Sequence, residues 1–223
     1  MSRVSLLLVS VVVAVVAGAA LVALAQPPGT AAIDAIAKDE AGKPVDDAVV
    51  YLIATPPPAR TPVTSTLDQI DKEFVPSVLA VEVGTPVRFP NRDNTKHHVY
   101  SFSPAKKFEL PLYSGTPTAP VVFDKPGVVV LGCNIHDWMV AHVFVATSPY
   151  FARTAAGRAA LRELPVGAQE ARVWHPRMRA ATEATGQRLT LAAGQSAEIT
   201  FVLSLKPERR LPRIPKYDAN IGG

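Results

Sequence analysis

The chain has 223 residues, of which 48% are hydrophobic, 19% charged and 7% aromatic, with a formal net charge of +4. A single cysteine excludes an intramolecular disulfide and any all-cysteine zinc or iron–sulfur site, and five histidines are too few for a multicopper cluster. The apolar content supports packed cores, the 21 prolines favour short strands and turns over long helices, and the Lys and Arg residues are scattered rather than gathered in a stripe, which argues against nucleic acid as a partner.

The N-terminus stands apart. Arg3 lies in a short polar start, and Leu6 to Ala25 is apolar apart from Ser10 and Gly18. Ala23-Leu24-Ala25 before Gln26 is a small-x-small cleavage pattern, so residues 1–25 are expected to be a secretory signal peptide. An apolar run of about 20 residues also reaches across a bilayer, so the uncleaved segment would be an anchor. Either way the remainder is expected to be exported, to the periplasm.

Two strands follow in residues 30–58. Ala31 to Ala37 alternates, Lys38 to Val45 carries a turn at Gly42, and Ala48 to Ile53 is a second apolar run. Pro56-Pro57-Pro58 to Pro62 reads as a stiff linker. In residues 64–147 an alternating strand runs from Val81 to Phe89, and the polar turn from Asn91 to Lys96 leads into His97 and His98. Val128 to Leu131 is an apolar strand that enters a short loop, and Val140 to Val145 leaves it. Residues 148–205 hold short strands with Gly-containing turns; Thr154 to Leu164 also has helix-forming Ala and Leu content, but the strand–turn reading is preferred. Residues 206–223 are basic and Pro-rich and read as a flexible tail.

The loop between the last two strands of the middle segment carries Cys133-x-x-His136-x-x-Met139. An unpaired cysteine in an exported chain is either a buried inert thiol or a held one. Its neighbours favour the second, because thiolate, imidazole and thioether are the donors that copper takes. One Cys, two His and a weak axial Met form the type 1 (blue) copper arrangement. The second imidazole has to come from His97 or His98. Zinc fits less well, since structural zinc takes more thiolates and catalytic zinc keeps an open site. His142 reads as an ordinary strand residue, His175 as a structural or surface residue, Trp138 as a cap over the site and Trp174 as core.

These residues resemble a plastocyanin/amicyanin-type cupredoxin. Phe74-Val75-Pro76, the Val81 to Phe89 strand with Gly84, Asn91 to Val99, and Gly127 through Met139 carry the resemblance over about residues 64–147. It implies a Greek-key β-sandwich and, by register, His97, Cys133, His136 and Met139 as copper ligands. His98 then falls on the family's Asn, which ties the two ligand loops together, and Asp137-Trp138 stands where amicyanin-like loops carry Pro. The resemblance also implies an exposed edge of His136 as the route for electrons, with Ile135, Trp138 and Val140 as the patch around it. Gly42 to Val45, Ala48 to Tyr51, Gly157, Leu164 to Gly167 and the last alternating strand resemble the two halves of a carboxypeptidase-regulatory-like (transthyretin-like, Ig-type) sandwich, into which the cupredoxin would be inserted. The alternative is that residues 149–205 form a separate β-rich appendage and residues 30–55 pack on the cupredoxin.

An all-β chain with one copper ion is therefore expected, carrying single electrons rather than acting as an enzyme. By resemblance its partners would be a c-type cytochrome or an amine dehydrogenase, as in methylamine utilisation. Two other readings stay open. One is a copper-holding or copper-delivery protein of the envelope. The other is a β-sandwich binding module with a vestigial copper site.

Overall fold

The computed structural model describes residues 29–53, 61–117 and 119–208. The expected signal segment, most of the Pro-rich linker and the tail beyond Glu208 lie outside the described residues. The first strands are β1 (Thr30–Asp39), β2 (Val49–Leu52), β3 (Ser65–Thr66), β4 (Asp68–Ile70), β5 (Glu73–Val75), β6 (Val78–Glu82), β7 (Thr85–Arg88) and β8 (His97–Ser103). They continue with β9 (Lys106–Tyr113), β10 (Val121–Phe123), β11 (Gly127–Gly132), β12 (Val140–Ala146), β13 (Phe151–Arg153) and β14 (Arg158–Pro165). The last are β15 (Gly167–Trp174), β16 (Gln187–Leu191) and β17 (Ser196–Leu203). The helical structure among the described residues is a 3₁₀ turn at Thr182–Thr185, so the chain is all-β.

Four sheets stack with a core in each gap. The outermost has the order β14-β1-β17, and the next has the order β13-β2-β15-β16. Ile33, Ala35 and Ala37 of β1 meet Val50 and Leu52 of β2 in the core between them. The third sheet, β6-β12-β11-β8-β9, faces the fourth, β10-β7-β3, across a core that holds Val87, Phe89, Val99, Phe123, Val143 and Cys133. Between the two inner sheets lies a smaller core of Val49, Tyr51, Val78, Phe144, Ala146 and Trp174. The inner sheets are thus covered on both faces. This is why all four residues of β2, and Val143 to Ala146 of β12, are buried without alternation. β1 has one buried face and keeps its period of two, with Ile33 opposite Leu161 of antiparallel β14 and Ala35 opposite Ile199 of parallel β17.

The flanking segments interleave rather than pack as separate appendages: β1 pairs with β14 and β17, and β2 pairs with β13 and β15. One sequence expectation changes in detail. The run from Val81 to Phe89 is not one strand. Gly84 takes φ +87° and donates its N–H to Phe123 O at 2.7 Å, and the chain turns from β6 in one sheet to β7 in the facing one. The pattern reads through the turn because both strands send apolar side chains, Val81 and Val87, into the same core. Thr154 to Leu164 forms a turn and β14, the strand–turn reading preferred from sequence. Gly157 sits at φ +70°, and a Cβ there would lie 2.8 Å from both Ala37 O and Pro44 Cβ, so the turn needs glycine.

His175, after β15, is buried, and its Nδ1 accepts the Arg177 N–H at 3.1 Å. Burial first, then the Arg177 charge, pushes its pKa down to about 4. A folded value below the unfolded one means that the unfolded chain binds the extra proton between them. Stability is therefore full above pH ~6.5 and is lost as pH falls toward 4, by about 3 kcal/mol from this group. In urea unfolding at pH 7 and pH 4, His175→Asn, which retains an acceptor for Arg177, is expected to lose less stability than wild type by about this amount. Equal losses would disprove the assignment.

Candidate metal centre

The antiparallel pair of β11 and β12 presents the loop 133–139 at its end, with Gly132 opposite Val140. Within that loop Met139 N–H donates to His136 O at 2.9 Å, a tight turn that closes the loop from His136 to Met139. The neighbouring strand β8 bonds to β11 at Tyr100 and Gly132, which sets the start of β8 beside Cys133. The segment before β8 is organised by Asn91, which is buried. Its Nδ2 donates to Thr95 O at 2.8 Å and Tyr113 O at 3.0 Å, and its Oδ1 accepts the Asp93 N–H at 3.0 Å. Those bonds wrap the turn so that His97 enters β8 facing inward.

Alternation then separates the two adjacent histidines. His97 is fully buried, whereas His98 lies on the opposite face, 3.0 Å from Glu109 Oε1 and edge-on to Tyr100. The His98 side chain therefore does not link the two loops as the family's Asn is expected to. The backbone N–H groups of His98, Ile135 and His136 act on the Cys133 thiol, favouring the thiolate.

Three donors converge. His97 Nδ1 is 3.2 Å from His136 Nδ1, and Cys133 Sγ is 4.0 Å from the first and 3.8 Å from the second. Three N and S donors placed about 2.0–2.3 Å from one ion stand about 3.3–3.8 Å apart, so these separations fit a shared metal ion. All three side chains are buried, and among the described residues this is the cluster of His, Cys, Asp and Glu able to hold a metal. Met139 is 1% exposed in the same core as Cys133. His136 is 6% exposed, with the Trp138 ring 5.1 Å from its own, so the open imidazole edge expected from sequence is covered. The rest of the expected patch is accessible, with Val140 exposed and Ile135 partly so. His142 faces the other way, against Trp174 in the inter-sheet core.

The electrostatics suit metal binding. Burial alone would push the Cys133 thiol up, but the His97 hydrogen bond and the three backbone N–H groups outweigh it and hold the thiol below its ordinary value. Burial works against protonation of His97, yet Cys133 and Asp93 together raise it. Burial, with the charges of His97 and Lys72, lowers His136 and leaves its lone pair free. Sequence reasoning missed Asp93 and the turn at Asp71-Lys72; no local pattern marks either.

No protein-family model matches the sequence, and no curated protein matches it. Among solved structures, a Cu-containing nitrite reductase (NirK) from Thermus scotoductus is 26% identical over 43% of this chain, with a TM-score of 0.36. The chain spans only 25% of that enzyme. A purple cupredoxin from Nitrosopumilus maritimus is 24% identical over 37% of this chain and 99% of its own, with a TM-score of 0.33. A Cu(I) mutant of amicyanin is 20% identical over 45% of this chain and 100% of its own, with a TM-score of 0.34.

Proposed function

We propose that this chain is an exported, periplasmic single-electron carrier built on one type 1 copper ion, with residues 64–147 as a cupredoxin domain. The residues that fit the ion are His97, Cys133 and His136 as close donors, with Met139 as the weak axial one. The observation that carries the reading is the convergence of two imidazole Nδ1 atoms and one thiol Sγ in a buried pocket, all within 4.8 Å of one another. That soft, low-coordinate donor set suits copper better than zinc or magnesium.

Bound copper would supply one-electron redox chemistry. The protein's part is to hold the donors still and to exclude water. The loop turn at His136 and Met139 and the Trp138 ring over His136 would restrict movement when charge changes. With the His136 edge covered, the Trp138 face becomes the shortest approach for a small redox protein such as a c-type cytochrome or an amine dehydrogenase. Encounters of that kind are small and short-lived. The paired flanks we assign to a carboxypeptidase-regulatory-like domain, residues 30–58 with 148–205, that braces the copper-bearing sheet.

The test is the copper-loaded full chain. An intense visible thiolate-to-copper band with reversible one-electron reduction is expected. Copper(I) that passes readily to a chelator, without that band, would point to copper delivery. Absence of any stoichiometric copper binding would end both readings.

A further inference from the structure

The far side of His97 is held by a charge. His97 Nε2 lies 2.7 Å from Asp93 Oδ2, and a carboxylate can only accept, so Nε2 carries a proton and Nδ1 is the ring atom turned toward Cys133. The same carboxylate accepts the Asp71 N–H on Oδ1 at 2.7 Å and the Lys72 N–H on Oδ2 at 2.9 Å. Three donors on one carboxylate fix its plane, and through it the imidazole ring. Asp71 and Lys72, with φ of +53° and +59°, form the turn between β4 and β5, and this conformation aims their two N–H groups the same way. The turn also reaches the other ligand loop: Lys72 O accepts the Trp138 Nε1–H at 3.0 Å, and Trp138 lies on His136. One two-residue turn thus braces both loops that deliver donors.

We propose that Asp93 is a positioning residue of the metal centre, fixing His97 with Nδ1 directed at the ion and biasing the centre toward its more highly charged, oxidised state. The inference rests on the copper reading above. A neutral acceptor in this place would orient the ring equally well. The carboxylate adds a negative charge one imidazole away from the ion, raising ligand basicity and favouring the divalent over the monovalent ion. The Lys72 ammonium, on the exposed turn, acts in the opposite sense at longer range.

Two measurements test it. In the metal-free full chain, nitrogen NMR of the imidazoles is expected to show a proton on His97 Nε2 that is protected from exchange; Asp93→Ala is expected to lose that protection. In the copper-loaded chain, Asp93→Asn is expected to keep the visible band but to shift the oxidised-to-reduced equilibrium about tenfold toward reduced, about 59 mV upward for a one-electron couple. Asp93→Ala is expected to bind copper about 10–100-fold more weakly as well. An Nε2 of His97 without its proton in the wild-type protein would overturn the positioning role without any variant. A blue wild type whose potential is unmoved by Asp93→Asn would overturn the charge role alone. A wild type with no thiolate band would sink the copper reading, while the metal-free tautomer would still decide the positioning role.

Discussion

Cys133→Ala is expected to abolish the visible copper band and the copper-dependent rise in melting temperature while leaving the metal-free chain folded. The sulfur supplies the one anionic donor of the cluster, and the sequence holds no other thiol to replace it. Two imidazoles and a thioether remain, a neutral set that binds divalent copper far less tightly. At a copper concentration about 1,000 times the dissociation constant, binding adds about 4 kcal/mol to folded-state stability, and the variant forfeits all of it. The cost to the metal-free fold is small, on the order of 1 kcal/mol, because one atom is removed from a site 3% exposed. Thermal melts with and without Cu(II), alongside the visible spectrum, separate these effects. A variant that binds copper with an unchanged spectrum would show that the sulfur is not a ligand and that the site lies elsewhere.

Trp174→Ala is expected to cost about 3–5 kcal/mol and to split a single thermal transition into two. Trp174 ends β15, and its ring lies 5.4 Å from Phe144 and 5.9 Å from His142, both on β12. Tyr51 of β2 meets Phe144 from the same side at 4.9 Å. These rings fill the gap between the two inner sheets, so the interface depends on a few large side chains. Losing the indole leaves a cavity that β strands, held in their ladders, cannot close. The outer cores do not include Trp174, so each pair of sheets retains its own packing. Copper absorption should then report the melting of one pair and far-ultraviolet dichroism the melting of both. A single coincident transition shifted by under about 1 kcal/mol would mean that the inner core contributes little to cooperativity.

Much of the architecture is legible in the chain because it is written in short-range patterns. Alternation at Ile33, Ala35 and Ala37 marks a strand with one buried face, and the unbroken Val49 to Leu52 run marks one with two. The loop with Cys133, His136 and Met139 stands between two apolar strands in the sequence and between β11 and β12 in the structure. The same patterns mislead where the chain changes sheet without changing period, as at Gly84. Where composition also admits a helix, at Thr154 to Leu164, the Gly-containing turn decides for strands, and Gly157 indeed sits at positive φ. The choice between His97 and His98 needed register from a resemblance, because adjacent residues of one type carry no mark of which face is inward.

By itself the sequence determined that the protein is all-β and that one short loop holds thiol, imidazole and thioether side by side, since both follow from spacing along a few neighbouring residues. Only the tertiary structure decided what holds those donors in place: that His97 is backed by Asp93, and that the Asp93 carboxylate and the Trp138 indole both end on the Asp71-Lys72 turn. The contacts onto that turn join residues 21 to 66 positions apart and leave no trace in periodicity. They arise because sheet register and turn geometry bring N–H groups to a carboxylate and an indole to a carbonyl, and buried polar groups must find such partners.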